Sequence, residues 1–157
     1  MHPLQVGEVA PAFSLPLADG GTVRLEDFSG RKLVIFFYPK ADTQACTREA
    51  VEFSAAKADF AAAGAELLGI SHDPVRKQQK FVAKHGLTTA IASDESLDML
   101  NAYGVWGEKQ MYGRTYLGIE RTTLLIDGKG IVVRVWSKVR VADHVAEVLE
   151  AARALPG

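Results

Sequence analysis

Four short apolar runs along the chain have the character of buried β-strands. Each is rich in β-branched or aromatic residues and is bounded by turn-forming residues. They are Leu33–Phe37, Leu67–Ile70, Thr122–Ile126 and Ile131–Trp136. The turn-rich stretch Asp127-Gly128-Lys129-Gly130 separates the last two runs, which predicts a β-hairpin late in the chain. Two shorter runs, Phe13–Leu15 and Thr22–Leu25, predict a β-rich N-terminal extension.

Helical patterns lie between these strands. They cover roughly Thr47 to Ala63, Pro74 to His85, Leu97 to Tyr103 and Val141 to Ala154. Gly64 and Gly86 follow the first two patterns, where glycine readily takes the left-handed conformation that ends a helix. The order β-α-β-α-β-β-α predicts an α/β fold, a central mixed sheet flanked by helices in the thioredoxin-like arrangement. The glycine-rich stretch from Gly104 to Gly118 is predicted to be a long connection.

Length and composition indicate an ordinary globular protein. The 157 residues fit one domain, and no repeat or linker divides them, so residues 1–157 are expected to form a single domain. With 48% hydrophobic and 24% charged residues, the chain resembles neither a disordered nor a disulfide-stapled protein.

The charge balance and the N-terminus limit the expected partners and location. Eighteen basic residues nearly balance 19 acidic ones, so no basic field favours nucleic acid as a partner. No apolar run is long enough to span a membrane, and the segment MHPLQVGEVAPAF lacks a basic region followed by an apolar core. A cytoplasmic location is therefore expected.

The chain has a single cysteine, Cys46. One cysteine excludes an intramolecular disulfide and any zinc or iron–sulfur site built on several cysteines. The four histidines have no spacing typical of metal ligands, so neither a metal nor another cofactor is expected.

Cys46 lies where α/β proteins place their sites. The strand that begins at Leu33 ends at Pro39, and a short loop then leads into a helical pattern. Sites in open α/β sheets form outside the carboxyl ends of strands, and the free N–H groups of a helix start favour a thiolate. Thr43 lies three residues before Cys46, so in a helical turn the hydroxyl would share a face with the sulfur. Pro39 offers a pocket wall without an N–H donor.

The segment Phe-Tyr-Pro-Lys-x-x-Thr-x-x-Cys-Thr-x-Glu resembles the peroxidatic segment of peroxiredoxins, specifically the peroxiredoxin Q (bacterioferritin comigratory protein) subfamily. The likeness extends over nearly the whole chain. It includes Gly7–Phe13, Gly69-Ile70-Ser71, Met111-Tyr112-Gly113 and Gly118–Thr123.

This resemblance implies a reaction and a set of site residues. The reaction is reduction of hydrogen peroxide and organic hydroperoxides through a sulfenic acid on Cys46, the peroxidatic nucleophile. Thr43 is then expected to hold the peroxide, Pro39 to shield the site and Arg121 to supply positive charge. Glu49 is expected to orient Arg121.

The chain departs from the subfamily pattern at two places. The positions where the subfamily carries a resolving cysteine are held here by Val51 and Val82. The resemblance therefore implies a one-Cys enzyme, a monomer or weak homodimer, whose sulfenic acid an external thiol reduces: glutathione, glutaredoxin or thioredoxin. The subfamily also usually has Pro-Gly before the nucleophile, where this chain has Gln44-Ala45.

Two other functions remain open from the sequence. A peroxide sensor or thiol relay would form the sulfenic acid and pass the oxidation to a partner without efficient turnover. An interaction protein would carry Cys46 as an inert apolar residue, since free cysteine is among the most buried residue types.

Overall fold

The computed structural model describes residues 4–157, apart from the side chain of Met111. In that part of the chain the strands are β1 (Ser14–Pro16), β2 (Thr22–Arg24), β3 (Lys32–Phe37), β4 (Ala65–Ser71), β5 (Ala90–Ser93), β6 (Trp106–Met111), β7 (Arg114–Ile119), β8 (Thr122–Ile126) and β9 (Val132–Trp136). The α-helices are α1 (Gln44–Ala55), α2 (Lys57–Ala62), α3 (Val75–His85), α4 (Asp98–Ala102) and α5 (His144–Ala154). A 3-10 helix covers Leu25–Phe28.

A mixed five-stranded sheet forms the centre, in the order β5-β4-β3-β8-β9. Strand β3 pairs parallel with β4 and antiparallel with β8. All six residues of β3 are buried, as expected for a central strand covered on both faces. The predicted central mixed sheet and the predicted hairpin between β8 and β9 are both confirmed. The N-terminal extension is confirmed as the antiparallel pair β1 and β2.

Two apolar clusters lie on opposite faces of this sheet. Alternate side chains of a strand point to opposite faces, and Leu33, Ile35 and Phe37 accordingly belong to one cluster while Val34 and Phe36 belong to the other. Helix α4 contributes to the first cluster, and α1, α2, α3 and α5 cover the second. Cys46, on α1, belongs to the second cluster.

One predicted helix has other bounds in the structure, and one strand was not predicted. The helix predicted over Thr47 to Ala63 begins earlier, at Gln44, and is broken at Ala56 into α1 and α2. Alanine favours helix, so nothing local marks this break. Strand β5 was not predicted, because its four residues are too short to display a period.

The predicted long connection between Gly104 and Gly118 is in fact the antiparallel hairpin of β6 and β7. Tyr112 and Gly113 form its two-residue turn with φ of 53° and 75°, the positive values that tight hairpins require. The first four residues of β7 are all exposed, so the apolar alternation that marks a strand is missing. No helix in the described part of the chain is long and apolar enough to cross a membrane.

Candidate active site

The site begins where β3 ends. The chain leaves the sheet at Tyr38, passes through Pro39 and enters α1, whose extended N-cap residue is Thr43. Cys46 is therefore in the first turn of α1, where backbone N–H groups lack an acceptor within the helix. The Cys46 side chain is almost fully covered, with 1% of its surface exposed.

Arg121 lies between β7 and β8, and its side chain reaches Cys46. Its Nη2 donates a hydrogen bond to Cys46 Sγ at 3.1 Å, and its Nη1 donates to Glu49 Oε1 at 2.6 Å. Glu49 lies three residues after Cys46 on α1, so both side chains lie on the face that meets Arg121. One guanidinium thus holds the sulfur and the carboxylate together.

The charges of this group are strongly coupled because the group is buried. Burial raises the pKa of Glu49 to about 7, although the neighbouring Arg121 opposes the shift. The second carboxyl oxygen, Oε2, is buried and has no hydrogen-bond partner among the described residues, which adds to the cost of ionising it. Burial works against the charge of Arg121, but Glu49 and Cys46 outweigh it and raise the pKa of the guanidinium. Arg121 therefore stays cationic at every physiological pH.

Thr43 and Pro39 lie on the loop that leads into α1, and within the described part of the chain neither makes a hydrogen bond to the sulfur. The Thr43 hydroxyl donates to the carbonyl oxygen of Lys40 at 2.8 Å and is exposed. Pro39 is half-buried and lines a cleft whose wall includes Arg121. Of the five residues predicted for the site, Arg121 thus contacts both Cys46 and Glu49 directly. Thr43 and Pro39 lie on the loop between β3 and α1.

A buried hydrogen-bond network holds this loop, and its members were not predicted. The Tyr38 hydroxyl donates to Gln78 Oε1 at 2.6 Å, and Gln78 Nε2 donates to Ser71 Oγ at 2.8 Å. The hydroxyl of Ser71 donates to Asp73 Oδ2 at 2.6 Å, and the same oxygen accepts the backbone N–H of Ala41 at 2.7 Å. Asp73 therefore fixes the loop that leads to Cys46.

A second tether acts on the next residue of the loop. Asp42 has the left-handed φ of 64°, which is unusual for a residue other than glycine. Its carboxylate accepts hydrogen bonds from Lys84 and His85 at the end of α3, at 2.9 and 2.7 Å. The His85 and Lys84 contacts lower the pKa of Asp42. Both tethers join the loop to β4 and α3 rather than to α1.

A signal for part of this network was present in the sequence. Ser71 ends β4 and Asp73 follows it, and β4 runs parallel to β3. The carboxyl ends of neighbouring parallel strands meet at one edge, so polar residues there belong beside the Pro39 loop. Gln78 is buried inside α3 and had no comparable signal.

The site presents a sulfur, a fixed cation with two forked donors and an adjacent buried carboxyl. Such a constellation suits attack by sulfur on a small molecule whose departing oxygen gains negative charge. In the described part of the chain, no group of three or more His, Cys, Asp or Glu residues is arranged to hold a metal ion.

Comparison with known sequences gives one consistent result. The profile of the AhpC/TSA family matches residues 6–135. A putative peroxiredoxin of Coxiella burnetii is 43% identical over 146 residues, which cover 93% of this chain and 97% of that protein. The peroxiredoxin Bcp of Bacillus subtilis is 40% identical over 147 residues, 94% of each protein.

Comparison with solved structures leads to the same family. Peroxiredoxin Q of Xanthomonas campestris has 42% sequence identity and a TM-score of 0.86 over 90% of each chain. A serine-for-cysteine mutant of PrxQ from Xylella fastidiosa has 33% identity and a TM-score of 0.92 over 98% of each chain. One Xanthomonas structure of the same identity concerns the alkyl peroxide reduction activity of its bacterioferritin comigratory protein.

The Xanthomonas protein differs in its cysteines. Two of its structures carry serine in place of one or the other of two cysteines, whereas the present chain has one cysteine in all. The two replaced cysteines have the same separation in that chain as Cys46 and Val82 have in this one. Val82 is half-buried in α3.

Proposed function

The chain belongs to the AhpC/TSA family, in its peroxiredoxin Q branch, and from that premise we propose that Cys46 is the nucleophile of this thiol-dependent peroxidase. The fold is the thioredoxin-like fold of its structural neighbours, and residues 1–157 are proposed to form one domain. The observation that supports the role of Cys46 is the 3.1 Å hydrogen bond from Arg121 Nη2 to its sulfur. The substrates are hydrogen peroxide and organic hydroperoxides.

The reaction transfers one oxygen atom to sulfur. The thiolate of Cys46 attacks one peroxide oxygen, the O–O bond breaks, and hydroxide or alkoxide departs and takes up a proton. Cys46 is left as a sulfenic acid. The departing oxygen gains negative charge, so a fixed cation beside the sulfur stabilises the transition state more than the ground state.

Ionisation of a thiol alone accelerates this step little. Lowering a thiol pKa from ~8.5 to ~6 raises the thiolate fraction at pH 7 about thirtyfold. If the Brønsted slope of disulfide exchange applies, the same shift lowers the nucleophilicity of the thiolate roughly tenfold. Most of the acceleration must therefore come from donors aimed at the reacting oxygens, and Arg121 is the donor nearest to the sulfur.

The other site residues take supporting roles in this proposal. The Thr43 hydroxyl holds the peroxide, and Pro39 shields the sulfur from water on the side of the cleft. Glu49 orients Arg121 through its 2.6 Å contact, which leaves Nη2 directed at Cys46. These roles follow the family motif residue by residue.

The catalytic cycle closes with external thiols. A first thiol attacks the sulfenic sulfur and releases water, which leaves a mixed disulfide on Cys46. A second thiol then displaces the protein thiol and leaves as the oxidised reductant. Glutathione, glutaredoxin and thioredoxin are the proposed reductants, because the chain has no second cysteine. We further propose a monomer or weak homodimer in the cytoplasm.

Rapid mixing with hydrogen peroxide tests this function. The protein is mixed with one equivalent of peroxide, quenched within milliseconds and analysed by intact mass and by a sulfenic-acid trapping reagent. We expect one oxygen atom to be gained and trapped at Cys46, and no gain in the Cys46→Ser variant. With excess dithiothreitol the peroxide should be consumed over many turnovers.

Two outcomes would contradict the proposal. Equal oxidation of the wild type and Cys46→Ser would exclude Cys46 as the nucleophile. Consumption that stops after one equivalent, despite excess thiol, would favour the peroxide sensor over the peroxidase.

A further inference from the structure

A second cleft lies next to the cleft that contains Arg121, and the two share the residues Pro39, Lys109 and Tyr116. We call it the lysine cleft, because three lysines line it: Lys40, Lys77 and Lys109. Its volume is about 750 Å³. Sites for small molecules typically measure roughly 300–1,000 Å³, so the lysine cleft has the size of a small-molecule site.

None of these lysines is neutralised by a carboxylate in the described part of the chain. Lys109 Nζ donates to the carbonyl oxygen of Ile119 at 2.7 Å and lies 6.0 Å from the centre of the Tyr116 ring. Burial, together with the charge of Arg121, lowers the pKa of Lys109. Glu120 and Cys46 oppose this shift from a distance, but no carboxylate that the structure describes is in salt-bridge contact with Lys109, and a partly desolvated ammonium of this kind is complementary to an anion.

The start of α3 adds to this positive character. Pro74, its N-cap residue, and Lys77 both line the lysine cleft. The first turn of α3 contains no acidic residue, and no side chain caps it. The positive end of the helix dipole therefore faces the cleft, and Asp73, directly before the N-cap, is the nearest carboxylate along the chain.

Two acidic residues also line the lysine cleft, and they differ in the hydrogen bonds that they already make. The Oδ2 atom of Asp73 is occupied by Ser71 and by the N–H of Ala41. Glu95 is exposed and free to meet a cation. The cleft thus offers three lysines against two carboxylates, of which Glu95 is the one without a hydrogen-bond partner among residues 4–157, and this suits a molecule that has carboxylates and one ammonium group.

The position of the lysine cleft indicates what such a molecule would do. Pro39 and Lys40 form part of its wall and belong to the loop that leads into α1 and Cys46. Cys46 is 1% exposed, so its surroundings must open before another sulfur can reach it, and we expect them to open at this loop, which directly precedes α1. A ligand bound against the loop is therefore next to oxidised Cys46 when the loop opens.

We propose that the lysine cleft binds a small carboxylate-bearing thiol, of which glutathione is an example, and supplies it to oxidised Cys46. This proposal rests on the peroxidase function above and names its reductant class. The bound thiolate attacks the sulfenic sulfur, an S–S bond forms, and the S–O bond breaks to release hydroxide, which takes a proton from solvent and leaves as water. A second thiol attacks the mixed disulfide and regenerates Cys46 with release of the oxidised thiol, so two electrons pass to the peroxide.

The experiment measures how fast the sulfenic acid disappears. Protein oxidised with one equivalent of peroxide is mixed with glutathione or with glutathione dimethyl ester, whose carboxylates are masked, and rates are compared per thiolate. We expect the wild type to prefer glutathione, and the preference to fall as salt screens the charges. In Lys77→Gln the preference should decrease about two- to fivefold, the value of one partly exposed ion pair.

Lys80→Gln is the matched control, since Lys80 is an exposed lysine on the same helix outside the lysine cleft. It should keep the wild-type preference. The proposal is overturned if both thiols react equally fast, or if Lys77→Gln and Lys80→Gln behave alike. A reduced thioredoxin that outpaces glutathione with no dependence on Lys77 would identify a protein reductant instead.

The failure of this inference can be told apart from failure of the peroxidase function. If dithiothreitol sustains peroxide consumption but masking the carboxylates has no effect, only the lysine cleft loses its role. If no sulfenic acid forms on Cys46, both proposals are overturned.

Discussion

Arg121 donates a hydrogen bond to the sulfur of Cys46 at 3.1 Å, although 75 positions of sequence separate the two residues. Arg121 immediately precedes β8, and Cys46 lies in the first turn of α1 after β3. Because β3 and β8 pair directly in the sheet, their register brings the two side chains together. The contact therefore depends on the central sheet and not on local sequence.

Replacing Arg121 should slow oxidation of Cys46 without preventing it. Loss of one donor to a developing oxyanion typically costs about 10²–10³ in rate, so we expect a decrease of this size in Arg121→Gln. The rate of Arg121→Lys should lie between those of the wild type and Arg121→Gln. A lysine restores the charge but not the two donors of the guanidinium that hold Cys46 and Glu49 together. The measurement is the second-order rate constant for peroxide by quenched-flow mass analysis.

Arg140→Gln is the control for this series, since Arg140 is exposed and lines neither the lysine cleft nor the cleft that contains Arg121. Its rate should equal that of the wild type. An Arg121→Gln protein that folds and reacts as fast as Arg140→Gln would remove Arg121 from the mechanism.

The sequence predicted the fold better than it predicted the site. Buried strands such as β3 have apolar runs that identify them, whereas β7 is largely exposed and carries no such pattern. Arg121 follows Glu120 and by local pattern is an ordinary surface residue; only the family resemblance indicated it. Its half-buried position depends on the pairing of β3 with β8, which no local pattern encodes.

Thr43→Val tests whether the hydroxyl takes part in the oxidation step. The hydroxyl now donates to Lys40, and it makes no capping hydrogen bond to α1, so its loss leaves the helix start intact. A hydrogen bond to a charged group contributes about 1.5–3 kcal/mol, so we expect the rate to fall about tenfold to a hundredfold. Thr43→Ser, which keeps the hydroxyl, should remain near the wild type.

Thr47→Val serves as the control on the next turn of α1. The same peroxide rate constant is measured for all three variants. Equal rates for Thr43→Val and Thr47→Val would show that the Thr43 hydroxyl does not contact the reacting peroxide.

Glu49 should make the protein less stable as the pH rises. Its pKa is 4.5 for a free side chain and about 7 in the fold, mainly because of burial. The folded state therefore binds more protons than the unfolded state between these values. Protonation of Glu49 therefore contributes on the order of 3 kcal/mol to the free energy of unfolding. This contribution is complete below pH 4.5 and is lost as the pH rises through about 7.

The Glu49→Gln variant isolates this effect from other titrating groups. The amide oxygen of glutamine still accepts from Arg121, but the side chain does not ionise. We expect the unfolding free energy of Glu49→Gln, relative to the wild type, to rise between pH 4.5 and pH 7.5 in urea titrations. A difference that stays constant over this range would mean that Glu49 is ionised throughout.

Asp73 should control how often the loop before Cys46 opens. Its Oδ2 accepts two hydrogen bonds, one from Ser71 and one from the N–H of Ala41. Asp73→Ala leaves that N–H without its partner, and a lost buried hydrogen bond costs about 1–3 kcal/mol. Because opening exposes Cys46, alkylation by a neutral reagent should accelerate about fivefold or more, and amide exchange over residues 39–46 should accelerate with it.

A second variant, Asp73→Asn, retains one acceptor oxygen but loses the charge. Asp59→Asn, on the exposed face of α2, is its matched control. Charge-assisted hydrogen bonds are roughly twice as strong as neutral ones, so Asp73→Asn should lie between the wild type and Asp73→Ala in both measurements. Peroxide oxidation should slow in the same order, because an open loop no longer holds the start of α1, and with it Cys46, against Arg121. If alkylation accelerates while oxidation is unaffected, the loop covers the sulfur but does not position it for the reaction.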